Sequence, residues 1–286
     1  MWIEKSKLLL LFVGCTLLYF ALSIPSNSIW YDQLEAINNS KDVLEGNFPL
    51  VGYLDSAGIH SFPAFYYFIS PLVFVTDSPL FLYWSVAVFY IIGVLLLANY
   101  TFNKFGRVTC IIFLLISATH VWSLFFASFF WNPNYIPFFM SLFIIFLDKQ
   151  INEKSSIVYF HFSGILLNII VQMMPQSIIL IPAFALILLI FKKLPNFINQ
   201  ILHVLIQFVM VYPWLHYQLF ISDWNNVQSQ QKLFKGFFIA VEEYMNFLGG
   251  WGLASEYGPY ISYGTNTYPY EAYIYYLLIS SSLIFN

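Results

Sequence analysis

Charge is scarce in this chain. Asp, Glu, Lys and Arg make up only 9% of its 286 residues. A soluble domain of ordinary make-up, in which about a quarter of residues are charged, is therefore excluded. Basic residues are too few to serve a nucleic acid, and the net charge is −3, so no nucleic-acid partner is expected. Cysteine occurs twice, at Cys15 and Cys110, each inside an apolar stretch, which argues against a disulfide framework or a cysteine-based metal site. His120, His161 and His203 show no ligand spacing, and two of them fall near opposite membrane faces in the expected topology, so no His-based metal site is expected either. No P-loop, Gly-rich nucleotide motif or Ser-His-Asp order is visible. Internal repeats and low-complexity linkers are also missing, and one membrane domain over 1–286 is the simplest organisation.

What is present is apolar. Hydrophobic residues reach 60%, mean hydropathy is +0.73, and 8 Trp, 21 Tyr and 32 Phe crowd the ends of the apolar runs as an interfacial belt does. Leu8–Ile24 and Leu80–Ala98 each stay apolar for long enough to cross hydrocarbon. No small-residue cleavage motif follows Leu8–Ile24, so it reads as a first helix and not as a signal peptide. The expected spans are Leu8–Ile24, Pro79–Phe102, Val108–Phe126, Asn134–Leu147, Ile157–Met173, Ser177–Phe191 and Ile198–His216. A last run, Ala272–Phe285, stops short of a full span, and suggests a shortened or compact relative of a longer protein. The expected fold class is thus an all-α polytopic membrane protein of about 7–8 transmembrane helices.

The few charges are sorted. With the N-terminus inside, the inner positions collect Lys5, Lys7, Lys104, Arg107, Lys149, Lys154, Lys192 and Lys193, eight of the 11 basic residues. That bias is the positive-inside rule and orients the chain in the cell (inner or plasma) membrane with a cytoplasmic N-terminus. The outer loops receive Asp32, Glu35, Asp42, Glu45, Asp55, Asp77, Asp223, Glu242, Glu243, Glu256 and Glu271, which is 11 of the 14 acids. Acids contribute little to topology, so their gathering is separate information and points to chemistry or binding on the extracytoplasmic face. Two outer regions result, loop 25–78 and a Tyr-, Gly- and Asn-rich stretch at 218–271. Within the first, Phe62–Val75 is a further apolar run flanked by Pro63 and Pro71. A crossing there would put Lys104 and Arg107 outside, so it reads as a helix lying at or dipping into the outer interface.

The first outer loop opens W-Y-D-Q-L-E-A-I-N-N-S-K-D-V-L-E-G. One reading is a capped amphipathic helix: Asp32 at the N-cap, Glu35 as its capping-box partner, Leu34, Ile37 and Leu44 at helical spacing, Lys41 snorkelling, Gly46 as the stop. The other makes Asp32 catalytic, and the two are compatible, because a capped helix end is a rigid mount for a carboxylate.

This loop resembles the first extracytoplasmic loop of GT-C-type membrane glycosyltransferases, the superfamily of the dolichyl-phosphate-mannose protein mannosyltransferases and their bacterial relatives. The likeness rests on Asp32 soon after the first helix, a jaw-like helix to Gly46, Pro49–Gly52, the S-F-P-A-F-Y-Y-F-I-S-P-L run within His60–Leu72, and Asp77–Leu80 leading into the second helix. W-N-P-N at Trp131–Asn134 and V-Q-M-M-P-Q-S at Val171–Ser177 resemble two further outer motifs, so the likeness covers about residues 8–220. Two positions depart from the pattern: Gln33 stands where many members carry a second acid, and no His lies near Met174. Neither departure favours a metal, and no cofactor is expected.

The resemblance implies inverting transfer of a sugar from a polyprenyl-phosphate-linked donor to an envelope acceptor, with membrane lipid around the site and Asp32 as general base. The implied substrate-binding residues are Gln33, Lys41, His60, Trp131, Asn132 and Gln172. All but Gln33 have a plainer reading. Lys41, like Lys232 and Lys235, suits a solvated or headgroup-facing role, His60 suits a cap for the next helix, Trp131–Asn134 suits a tight turn, and Gln172 suits a bond to a neighbouring backbone group. Two other functions compete: a transporter or flippase of lipid-linked sugars, and an inactive GT-C homologue that binds or scaffolds.

Overall fold

The computed structural model describes residues 2–26, 29, 31–53, 60–153 and 156–221. The chain divides into two units, Met1–Trp224 and Asn225–Asn286. The second unit lies outside the described residues, and with it the expected run Ala272–Phe285, most of the outer region 218–271, and the candidates Lys232, Lys235, Glu242, Glu243 and Glu256.

The described part is all-helical. Its helices are α1 (Trp2–Ser23), α2 (Tyr31–Leu44), α3 (Ala64–Val75), α4 (Pro79–Phe105), α5 (Arg107–Thr119), α6 (Val121–Ala127), α7 (Ile136–Asn152), α8 (Ser156–Met173), α9 (Leu180–Ile190) and α10 (Phe197–Phe220). Short 3₁₀ turns precede α7 (Asn132–Tyr135) and α9 (Pro175–Ile179). Two helices, α4 and α10, are long and apolar enough to cross a membrane. The stretch expected as one span at Val108–Phe126 is broken at His120, whose extended backbone ends α5 and whose Nδ1 accepts the Ser123 amide to cap α6. Ser177–Phe191 likewise begins as a 3₁₀ turn and leaves α9 with 11 residues.

Successive helices run up and down. α5 returns along α4, with Tyr90 donating to the Ser117 carbonyl at 2.7 Å and Cys110 to that of Ala98 at 3.4 Å. α7 then runs parallel to α4, and the two come close because Gly93 has no side chain: a Cβ there would lie 2.9 Å from the Phe138 Cα. Small residues at such crossings let backbones approach. Ser85 and Tyr135 share a 2.7 Å hydrogen bond across the same seam, and Tyr135 is fully buried. Around it the rings of Phe65, Phe68, Phe89 and Phe130 pack at tilted or edge-on angles, the geometry that aromatic quadrupoles favour. This aromatic core joins α3, α4 and the turn before α7. At the far end of α4 and α7, Lys104 pairs with Asp148, which fixes the ends that carry Lys104, Arg107 and Lys149 beside one another.

Candidate functional site

α2 carries the candidate site, and its two faces differ. Gln33, Ala36, Ile37 and Ser40 recur at helical spacing and are buried. Ser40 Oγ donates within reach of the carbonyls of Ala36 (2.7 Å) and Tyr66 (3.1 Å), and so joins α2 to α3. The Tyr83 hydroxyl donates to Gln33 Oε1 at 2.7 Å, which ties α2 to the start of α4. Gln33 is therefore buried in the helix interface as an anchor.

Asp32, Glu35 and Asn39 form the second stripe. The helix begins at Tyr31, so Asp32 sits within the first turn and not at the N-cap, where its charge still favours the positive end of the helix dipole. It is exposed, whereas Glu35 is half-buried. Glu35 receives the Tyr66 hydroxyl at 3.5 Å, and the Asn39 side chain bonds the same hydroxyl. Tyr53 packs edge-on against Tyr66 with ring centres 5.5 Å apart. Burial holds both phenols well above the usual tyrosine pKa, reinforced at Tyr53 by the Tyr66 phenol and then by Asp32 and Glu35, and at Tyr66 by the Glu35 carboxylate. They are neutral donors and apolar faces at any physiological pH.

The far end of α2 closes as the sequence leads one to expect. Gly46 adopts φ +88°, its amide reaches the Val43 carbonyl at 3.2 Å, and the Asn47 amide reaches that of Asp42 at 2.8 Å, a Schellman motif. Lys41, near that end, lies nine residues beyond Asp32, roughly half a turn out of phase at 3.6 residues per turn. Its ammonium is held by Asp77 at 2.6 Å, in an exposed pair. Lys41 is thus not brought to Asp32.

His60 belongs to a narrow bridge in which Gly52 N–H meets the Ser61 carbonyl (2.8 Å) and Ser61 N–H meets that of Tyr53 (2.7 Å). A side chain at Gly52 would strike Phe62 and Ser61, so the close approach needs glycine. The His60 Nδ1–H donates to the Gly52 carbonyl at 3.0 Å, and its ring meets Tyr217 edge-on. The indole of Trp214 donates to the His60 carbonyl at 2.7 Å and lies over Phe62. The C-terminal end of α10 is therefore at the same end of the bundle as α2 and α3.

Trp131 and Asn132 form the turn before α7, where Asn132 Nδ2 donates to the Met173 carbonyl at 2.6 Å. That is the tight-turn reading, with the end of α8 clamped to it. Gln172 is buried and donates to Asn168 Oδ1 (2.5 Å) and the Met210 carbonyl (3.3 Å), inside the α8–α10 seam. It too is a packing residue. Asp55 lies outside the described residues, and Asp42 is exposed on α2.

Sequence spacing missed one pairing. His161 and His203, 42 residues apart, meet with Nδ1 atoms 3.2 Å apart, a contact that the absence of a ligand spacing among the histidines did not reveal. Their polar neighbours Asn168, Gln172 and Gln207 at helical spacing on two largely apolar helices were the available signal. Among the described residues no cluster of three or more His, Cys, Asp or Glu could hold a metal ion. No protein-family model, no curated protein and no solved structure matches the chain.

Proposed function

We propose that the chain is a multi-pass membrane glycosyltransferase that moves a sugar from a polyprenyl-phosphate carrier to an acceptor hydroxyl at the extracytoplasmic face. The observation that carries this reading is the division of α2. One stripe is buried and anchored by Tyr83 and Tyr66, while Asp32 is held exposed at the helix start beside an acid–phenol group of Glu35, Tyr53 and Tyr66. A fixed, accessible carboxylate next to aromatic faces suits a base acting on a sugar hydroxyl. Asp32 takes the proton of the acceptor hydroxyl. The freed oxygen lone pair attacks the anomeric carbon, the carbon–oxygen bond to phosphate breaks with its electron pair, and the configuration inverts. Loop 25–78 contributes one basic residue, Lys41, and it is engaged by Asp77; the His60 ring, whose Nδ1 bonds the Gly52 carbonyl, is a further candidate to meet a phosphate oxygen through Nε2.

The proposed topology has α1, α4, α5 with α6, α7, α8, α9 and α10 as seven crossings, with α2 and α3 at the outer surface. Alternating helix directions and the basic residues gathered at the end away from α2 support it. Cysteines placed singly at positions 45 and 153 test the topology: only the first should be labelled from outside, and labelling of both would overturn it.

One observation favours a second reading, translocation of a lipid-linked sugar: the ionisable pair His161–His203 lies within the α8–α10 seam, where transporters carry such groups. Proteoliposomes loaded with radiolabelled polyprenyl-phosphate sugars separate the two. New glycosidic product supports transfer. Movement of intact carrier without product overturns it in favour of translocation, and binding alone leaves a scaffold.

A further inference from the structure

The α8–α10 seam holds a row of hydrogen-bonding side chains whose direction is fixed along its whole length. Gln172 Nε2 donates to Asn168 Oδ1 at 2.5 Å, and Asn168 Nδ2 donates to Gln207 Oε1 at 2.5 Å. Gln207 Nε2 then meets His203 Nε2 at 3.1 Å, and His203 Nδ1 meets His161 Nδ1 at 3.2 Å. An amide nitrogen only donates, so His203 Nε2 must accept, and the His203 proton sits on Nδ1. That N–H donates to His161 Nδ1, which puts the His161 proton on Nε2. Every donor therefore points from Gln172 towards the His pair, over 11 residues of α8 or about 16 Å. The seam is shaped for the ring. Gly164 lies against it, and a Cβ there would collide with His203, while Phe160 covers its other side with ring centres 4.5 Å apart.

We propose that the His161–His203 pair is a binding site for a single proton, and that the amide row transmits its occupancy to Gln172 at the α2 end of the bundle. A proton taken from water adds to the His203 Nε2 lone pair, and the new N–H faces a donor. Turning the Gln207 amide end over end relieves the clash, because its oxygen and nitrogen ends have nearly the same shape. Gln207 then accepts from His203 and donates to Asn168, which must turn in the same way, as must Gln172. The last turn removes the donation from Gln172 to the Met210 carbonyl at 3.3 Å, so the distal end feels the proton. Amides do not carry protons onward under these conditions, and the row relays orientation only.

Few other charges bear on the pair. α8, α9 and α10 contain no Asp, Glu, Lys or Arg. On α7, Asp148 is paired with Lys104, and Lys149 lies 3.9 Å from Glu153 and over Tyr159. The remaining titratable groups of α10, Tyr212, His216 and Tyr217, lie on its far half.

The test uses the full chain in lipid nanodiscs with ¹⁵N-labelled histidine and glutamine, followed by NMR from pH 8 to pH 4. The expected result is one shared protonation step for the two rings, with the Gln172 side-chain amide shifting at the same midpoint and losing that shift in His203→Gln. Separate titration of the rings, or a Gln172 amide that stays fixed while they titrate, overturns the proposal. Should His203→Gln fail to fold, Asn168→Leu keeps both imidazoles and breaks the row. There the rings should still titrate while Gln172 falls silent, and a Gln172 shift that persists also overturns it. None of these readouts depends on glycosyl transfer.

Discussion

Tyr83→Phe tests whether α2 is held by its buried stripe. Tyr83 and Gln33 are each only 2% exposed, and the hydroxyl donates to the amide oxygen at 2.7 Å. Deleting the hydroxyl removes a neutral hydrogen bond and leaves Gln33 Oε1 buried without that donor, a combined cost of about 1–3 kcal/mol. Because this contact joins α2 to α4, the cost falls on docking of α2 more than on the α4–α7 core. A mid-range loss of about 2 kcal/mol corresponds to roughly thirtyfold in the docking equilibrium, at tenfold per 1.4 kcal/mol. Hydrogen exchange in detergent micelles reads it directly: α2 amides should exchange about thirtyfold faster, with those of α4 and α7 nearly unchanged. The double variant Gln33→Leu with Tyr83→Phe should cost less than the sum of the singles, since both singles remove the same hydrogen bond. Unchanged exchange in α2, or strictly additive costs, refutes the anchor.

Other outcomes follow from single contacts. Gly93→Ala places a Cβ against the Phe138 backbone, which cannot rotate away, and should lower stability by about 1–3 kcal/mol in detergent melts, whereas Gly14→Ala, with open space around it, should be near neutral. The Lys41 ammonium, by its hydrogen bond and then by its charge, holds the Asp77 carboxyl below its usual value of 3.8. The stabilisation is complete above that value and is lost as pH falls through the depressed one, so the melting difference between the parent chain and Asp77→Asn should vanish in acid and shrink in high salt. Asp32→Asn should cut sugar transfer by about 10²–10⁴ with little change in stability, while Glu35→Gln should cost little rate. A fully active Asp32→Asn protein would remove Asp32 as the base.

Periodicity made much of the fold legible. The spans written for α4, α8 and α10 agree with the helices to within a few residues, while α1 starts at Trp2, well before the expected Leu8; a long apolar run reads as helix by its length. Gly46 announced its helix stop through the conformation that only glycine adopts easily. The break at His120 was not legible, since an apolar run says nothing of one extended residue whose ring caps the next helix. Site residues fared less evenly. Asp32 and Glu35 share a face because i and i+3 must, but composition did not show that Gln33 turns inward to Tyr83 or that Asp77 holds Lys41. Those contacts span 50 and 36 residues, and only the tertiary arrangement brings their ends together. His161 and His203 were hidden for the same reason.

The two stripes of α2 make anchoring and chemistry separable. A carboxylate used as a base must stay accessible to solvent or substrate, and an exposed helix of 14 residues has little stability of its own in water. Under the proposed function one helix would meet both needs, because Gln33, Ala36, Ile37 and Ser40 are buried while Asp32 is exposed. Both anchors accept or donate through neutral groups, so docking of α2 does not depend on the charge of Asp32. An Asp32 substitution would then alter the proposed reactivity without moving the helix, whereas a change at Tyr83 would loosen the helix and leave the carboxylate intact. The two classes of variant should therefore give opposite patterns: Asp32 variants lower the rate with normal hydrogen-exchange protection in α2, and Tyr83 variants lose protection first.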